Sequence, residues 1–159
     1  MRRKSKVNPA RGPKEKFQKF LVDTNVFVAA VKAALKHQRK PNSLTLLLYL
    51  INEESIHLIG NALLKNEYRK YSTLSPTAKQ ILTKLLKKMQ IIGYETESMN
   101  RCIPYFPASS IADAVHASTC LKENAILISN DTDFDRIKQA AIIAVWSTLD
   151  ALQNLLYVP

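Results

Sequence analysis

Leu127-Ile128-Ser129-Asn130-Asp131-Thr132-Asp133-Phe134 is a short apolar run that breaks into an acidic turn. Near the other end of the chain, Leu21-Val22-Asp23-Thr24-Asn25 repeats the arrangement. Each apolar run has the length of a strand and is followed by helical spacing, which sets both acidic groups at the carboxyl ends of strands. The same alternation extends outward in both directions. Residues 20–22, 56–59, 90–94, 125–129 and 142–146 read as strands. Helical segments are expected over 26–37, 41–50, 61–71 and 109–122, with a short one from Asp133 and a last one over 148–156. A further helix opens at Ser75-Pro76 and carries Ile81, Leu82, Leu85, Leu86 and Met89 on one face. Asn61 and Ser109 suit helix caps, because their side chains can accept from free first-turn amides.

Strands separated by helices need crossover connections, and strands that are apolar nearly throughout need cover on both faces. The expected class is therefore α/β, with a central parallel sheet of about five strands. In such sheets the functional crevice lies beyond the carboxyl ends of the strands. That is where Asp23, Asp131 and Asp133 fall.

Composition removes several alternatives. The three glycines, Gly12, Gly60 and Gly93, are too scattered for a loop that cradles phosphates. Cys102 and Cys120 cannot staple a secreted scaffold, and His37, His57 and His116 do not have zinc-motif spacing. No apolar run approaches the roughly 20 residues of a membrane span, and the basic N-terminus lacks a signal core, so a cytoplasmic protein is expected. The formal charge of +10 favours a polyanionic partner. Most of it sits in residues 1–16, where Arg2, Arg3, Lys4, Lys6, Arg11, Lys14 and Lys16 face only Glu15, a net of +6. Pro9, Gly12 and Pro13 oppose regular structure there, so 1–16 reads as a flexible basic arm and 17–159 as a single domain. The duller reading of the arm is a solubilising tail; the sharper is a collector of nucleic-acid phosphates.

Two further acids deserve a place beside the strand-end group. Asp113 lies in the first turns of the helix after Ser109, and Glu67 lies on the helix after the second strand, among Leu63, Leu64 and Tyr68. Taken singly, each acid has a plain reading as a turn residue, a cap or a solvated face. Together they would repel one another in one crevice, and a divalent metal removes that conflict. Oxygen ligands without a His or Cys cluster describe Mg2+ or Mn2+. Such an ion activates water and stabilises charge on an attacked phosphate. A basic protein around an acidic metal site is the electrostatic plan of a nuclease.

These residues resemble the PIN-domain nucleases. Leu21-Val22-Asp23-Thr24-Asn25-Val26 is similar to the opening motif of that family. Asp113-Ala114-Val115-His116-Ala117-Ser118-Thr119 is similar to its third motif, and the 127–134 stretch to its closing motif. The resemblance runs from about Phe17 to Leu156. It implies a Rossmann-like three-layer α/β/α sandwich and a Mg2+- or Mn2+-dependent phosphodiesterase, usually acting on RNA, that leaves 5′-phosphate and 3′-hydroxyl ends. The family's acidic set falls on Asp23, Glu67, Asp113 and Asp131, with Glu67 in the loosest of the motifs. Asp23, Asp113 and Asp131 are the implied metal ligands, and Asp133 supports them or holds a second ion. Asn25 and Ser129 are expected to hold carboxylates or a water by hydrogen bonds. His116 invites a general-base role, but its position favours packing against the sheet. Lys32, Lys36, His37, Arg39 and Lys40, on or after the helix behind Asp23, are candidate guides for the RNA backbone.

An endoribonuclease is the first functional expectation. It resembles the toxin half of toxin–antitoxin pairs, proteins that often dimerise and are silenced by a partner peptide, which makes an antitoxin and a second copy candidate partners. An RNA-processing nuclease is the near alternative, and the basic arm leans toward it. A catalytically silent RNA-binding or assembly module is the reading from another class. Silent members usually lose one or more acids, whereas all four positions are filled here. A receiver-type signalling domain wants an Asp after its third strand, and this chain has Gly93-Tyr94-Glu95 there.

Overall fold

The computed structural model describes residues 18–36 and 42–157. Its strands are β1 (Gln18–Val22), β2 (Ile56–Gly60), β3 (Gln90–Ile91), β4 (Ile126–Ile128) and β5 (Val145–Trp146). They form one parallel sheet in the order β3-β2-β1-β4-β5. Eight α-helices occur among the described residues: α1 (Thr24–Leu35), α2 (Asn42–Asn52), α3 (Ala62–Arg69), α4 (Pro76–Lys88), α5 (Thr96–Cys102), α6 (Ile111–Glu123), α7 (Asp135–Gln139) and α8 (Thr148–Leu155). Helix α1 packs on α2, α3 and α4, and α2 on α8; α5 packs on α6, which lies against β1 and β4. The result is the three-layer α/β/α sandwich.

The chain builds the sheet outward from β1 through β2 to β3, then crosses back to add β4 and β5 on the other side. The order therefore reverses between β1 and β4, where a crevice opens at the strands' carboxyl ends. Phe20, Leu21 and Val22 of β1 and Leu127 and Ile128 of β4 are buried, as a central strand covered on both faces requires. The register pairs Val22 with Ile128, and the Asp23 amide donates to the Ile128 carbonyl at 2.9 Å. Pairing of two apolar strands thus brings the acidic ends of both quoted stretches side by side.

Several expected boundaries are corrected by what lies opposite them. Only Gln90–Ile91 of the third strand pairs, because its partner ends at Gly60 and Asn61 turns into α3. The fifth strand is Val145–Trp146 rather than 142–146; the short β4 ends its ladder, and the preceding Asn124 is a left-handed cap of α6 at φ 52°. Helix α3 stops at Arg69 and gives way to a 3-10 turn at Ser72–Leu74. Helix α6 begins after Ser110, whose side chain makes no capping bond, so Ser109 is not the cap. The short helix expected from Asp133 is a 3-10 turn, Thr132–Phe134, followed by α7; Asp131 caps the turn by accepting from the Asp133 amide. Helix α5 had no counterpart in the sequence reading. Asn61 and Ser75 do cap α3 and α4. Arg2, Arg3, Lys4, Lys6 and the rest of the arm, with His37, Arg39 and Lys40, lie outside the described residues.

Candidate active site

Asp23 ends β1 and begins α1, and both jobs use its carboxylate. Its Oδ1 accepts from the Thr24 amide at 2.8 Å, and its Oδ2 from the Ser129 hydroxyl at 2.7 Å. Having donated its proton to Asp23, Ser129 Oγ accepts from the Asp131 amide at 3.1 Å and from Asn25 Nδ2 at 3.4 Å. A hydroxyl can serve all three partners, since it offers one donor and two lone pairs. Ser129 therefore ties together the ends of β1 and β4.

Glu67 reaches the same place from α3. The Thr24 hydroxyl donates to its Oε2, and His116 Nε2 lies 3.1 Å from that oxygen and 3.3 Å from Oε1. The neighbouring Tyr68 is fully buried, stacks at a tilt on Phe27 and donates to the Val22 carbonyl, which pins α3 to the end of β1. Asp113 enters from the first turn of α6. One carboxylate oxygen from each of Asp113, Asp131 and Asp133 lies within 4.8 Å of the others.

Asp23, Glu67, Asp113 and Asp131 line a single cleft of about 570 Å³, together with Thr24, Asn25, Val28, Ala29, Lys32, Lys70 and Tyr71. Asp133 is exposed beside it, and Lys36 is exposed at the end of α1. Lys70 and Tyr71 escaped the sequence reading. Their signal is spacing: they follow Glu67 by three and four positions, as Val28, Ala29 and Lys32 follow Asn25 along one helical face. His116, expected against the sheet, is indeed buried, but it is hydrogen-bonded to Glu67 rather than merely packed.

Crowding of acids shapes the electrostatics. Burial raises the Asp23 carboxyl above its ordinary range, and its bonds from Ser129 and Thr24 offset only part of that. Burial also pushes Glu67 up, but the hydrogen bonds from His116 and Thr24, with the Lys70 charge nearby, leave it lowered. Asp113 is pushed up to about 6, by burial first and then by the charges of Asp23 and Asp131. The folded chain thus keeps this proton to about pH 6, whereas an unfolded chain releases it near the ordinary 3.8. Stability accordingly falls as pH rises across that window and stays lower above it. With divalent ions removed by EDTA, Asp113→Asn is expected to melt above the wild type at about pH 7.5 and level with it near pH 4, read by thermal denaturation at both values.

The donor chemistry fits a hard divalent cation. Its oxygens are carboxylates that repel one another without a counter-charge, and Asn25, which lines the same cleft, has a buried Oδ1 with no hydrogen-bond partner. An orphaned carbonyl oxygen on a residue lining a carboxylate cleft is the kind of group that a cation or its bound water would satisfy.

A family model of the PIN domain matches residues 20–140, a span that contains Asp23, Glu67, Asp113, Asp131 and Asp133. The chain belongs to the PIN-domain family. PIN domains are nucleases as a family. Among solved structures, this PIN domain is similar to VapBC2 from Rickettsia felis, bound in that crystal to a DNA fragment from their promoter. The TM-score is 0.54 at 19% identity, over 82% of this chain and 98% of that one. It is also similar to PAE2754 from Pyrobaculum aerophilum, with a TM-score of 0.53 at 15% identity, over 91% of this chain and 99% of that one. Both likenesses are of fold. A sequence search of curated proteins finds no match. No helix among the described residues is long and apolar enough to cross a membrane.

Proposed function

We propose that this PIN domain is a divalent-metal-dependent endoribonuclease. The observation that carries the reading is the convergence of Asp23, Glu67, Asp113 and Asp131, from four separate segments, on one cleft with the orphaned Asn25 carbonyl. Asp23, Asp113 and Asp131 would hold Mg2+ or Mn2+, with Asp133 beside them for support or for a second ion. Bound there, the cation supplies charge that stabilises the attacked phosphate and eases deprotonation of a water. Glu67, kept ionised by its donors, can accept a hydrogen bond from that water and hold it for attack. Lys32 and Lys70 line the cleft with charge of the sign that binds backbone phosphates, and Tyr71 offers a ring on which a base can stack. Hydrolysis would leave a 5′-phosphate and a 3′-hydroxyl.

The likeness to VapBC2 favours a toxin-type role, with an antitoxin peptide reaching the cleft and a second copy as partner. The basic arm, with six of the ten net charges, favours structured RNA and a processing role. A silent RNA-binding module is the reading from another class, and the filled acidic set argues against it. The test is a pool of structured and single-stranded RNA incubated with Mn2+ or with EDTA, using wild type and Asp113→Ala. Cleavage that needs both the ion and Asp113 is expected. Tight binding without cutting under either condition would move the protein to the binding class.

A further inference from the structure

His116 sits against Glu67, and a histidine beside carboxylates suggests either a metal ligand or a general base. The hydrogen bonds behind it point elsewhere. Asn61 caps α3, and its Oδ1 accepts from the Leu64 amide at 2.8 Å, which fixes the oxygen end of that side chain. Its Nδ2 then carries two hydrogens, with Thr119 Oγ1 at 3.0 Å and His116 Nδ1 at 3.1 Å as their partners. Thr119 spends its own proton on the Val115 carbonyl at 3.0 Å, so it can only accept from Asn61. Every hydrogen in the network is thereby directed one way, and His116 Nδ1 has to accept. A neutral ring that accepts at Nδ1 carries its proton on Nε2, the atom facing Glu67.

Burial closes the alternatives. Asn61, His116 and Thr119 are 6%, 1% and 6% exposed, so a reversed bond would set largely buried groups against each other without their partners. Flipping the Asn61 amide would orphan the Leu64 amide and set an oxygen against Thr119, whose proton is already committed.

We infer that His116 is a positioning residue for the proposed nuclease: held by Asn61 as the Nε2–H tautomer, it is a one-way donor that fixes the Glu67 carboxylate in the cleft. Neither nitrogen is left for a metal, because one lone pair is taken by Asn61 and the other nitrogen bears the proton. For the same reason the ring cannot take a proton from water. With Thr24 and His116 both donating to Oε2, Glu67 keeps Oε1, which has only the longer contact, as its freer oxygen.

Two measurements test this, and only the second rests on the nuclease reading. In the folded wild type labelled with 15N at histidine, long-range ring correlations are expected to show His116 protonated at Nε2 alone. The pattern should be the same before and after addition of Mg2+. A proton on Nδ1, or Zn2+ added alone displacing the Nε2 proton, overturns the inference whether or not the protein cuts RNA. In single-turnover cleavage, His116→Leu is expected to lower kcat by about ten- to a hundredfold with little change in KM, the effect of losing a donor to a charged group. His116→Gln keeps a donor near the Nε2 position and should recover part of that loss. Equal rates for the two variants at equal folded fraction, or wild-type kcat in His116→Leu, would also overturn it. Absence of cleavage by the wild type would instead count against the nuclease reading and leave the tautomer result standing.

Discussion

Asp23→Asn is expected to lower metal-dependent RNA cleavage by at least about a thousandfold while the protein stays folded. The magnitude follows from removing one charged ligand of a cation whose contribution to the transition state is several kcal/mol, at about 1.4 kcal/mol per tenfold in rate. The fold survives because asparagine replaces aspartate well as a helix cap, so the bond from the Thr24 amide can persist. The bond to Ser129 is lost, because both Ser129 lone pairs are already taken by the Asp131 amide and Asn25, and relief of the buried charge offsets that loss. Burial already disfavours the Asp23 charge, so the variant should melt no lower than the wild type in the absence of metal. Rates over a Mn2+ titration, with a melt of each sample, give both readouts. Wild-type cleavage in a folded Asp23→Asn protein would remove Asp23 from the centre and the site assignment with it.

Tyr68→Ala carries the largest expected loss of stability. The side chain is fully buried, its ring centroid is 4.9 Å from that of Phe27, and its hydroxyl donates to the Val22 carbonyl. Truncating a buried aromatic of this kind costs about 3–5 kcal/mol, a large share of the 5–15 kcal/mol typical of a domain. The melting temperature should fall by roughly 10 °C. Tyr68→Phe keeps the ring and loses only the bond to Val22, at a cost of about 1–3 kcal/mol. The pair of variants separates packing from the polar tie between α3 and the strand that ends at Asp23. A Tyr68→Ala protein melting within about one degree of the wild type would show that α3 is held by other contacts.

The sheet could be read from the chain because its determinants are local. Leu21-Val22 and Leu127-Ile128 are apolar on both faces, and each stops at residues that cap the next turn, so strand and crevice announce themselves together. The Asn61 cap and the helix start at Ser75-Pro76 were equally plain, since a cap acts within three residues, whereas α6 starts one residue later than a cap at Ser109 would set it. What could not be read depends on partners far along the chain. Residues 93–94 follow Ile91 and Ile92 without a charged break, yet β2 has already turned away and leaves them nothing to pair with. Thr96–Cys102 is seven residues long with no side-chain cap, and Met99 and Cys102 are its only apolar residues, too few to show a helical stripe. In the site, the acids were visible because the chain has few of them. His116 was ambiguous because its role is decided by Asn61, 55 positions earlier, whose own orientation is decided by a helix cap.

The pairing of β1 with β4 also bears on synthesis. Asp23 emerges early from the ribosome, but the hydroxyl that anchors its Oδ2 is 106 positions downstream, and its amide is satisfied by Ile128. Contacts of such long sequence separation close late, after the intervening loop entropy has been met. A growing chain can form β1, β2 and the helices between them while still lacking the second half of its acidic cleft. The nascent protein therefore lacks the complete proposed site for most of its translation.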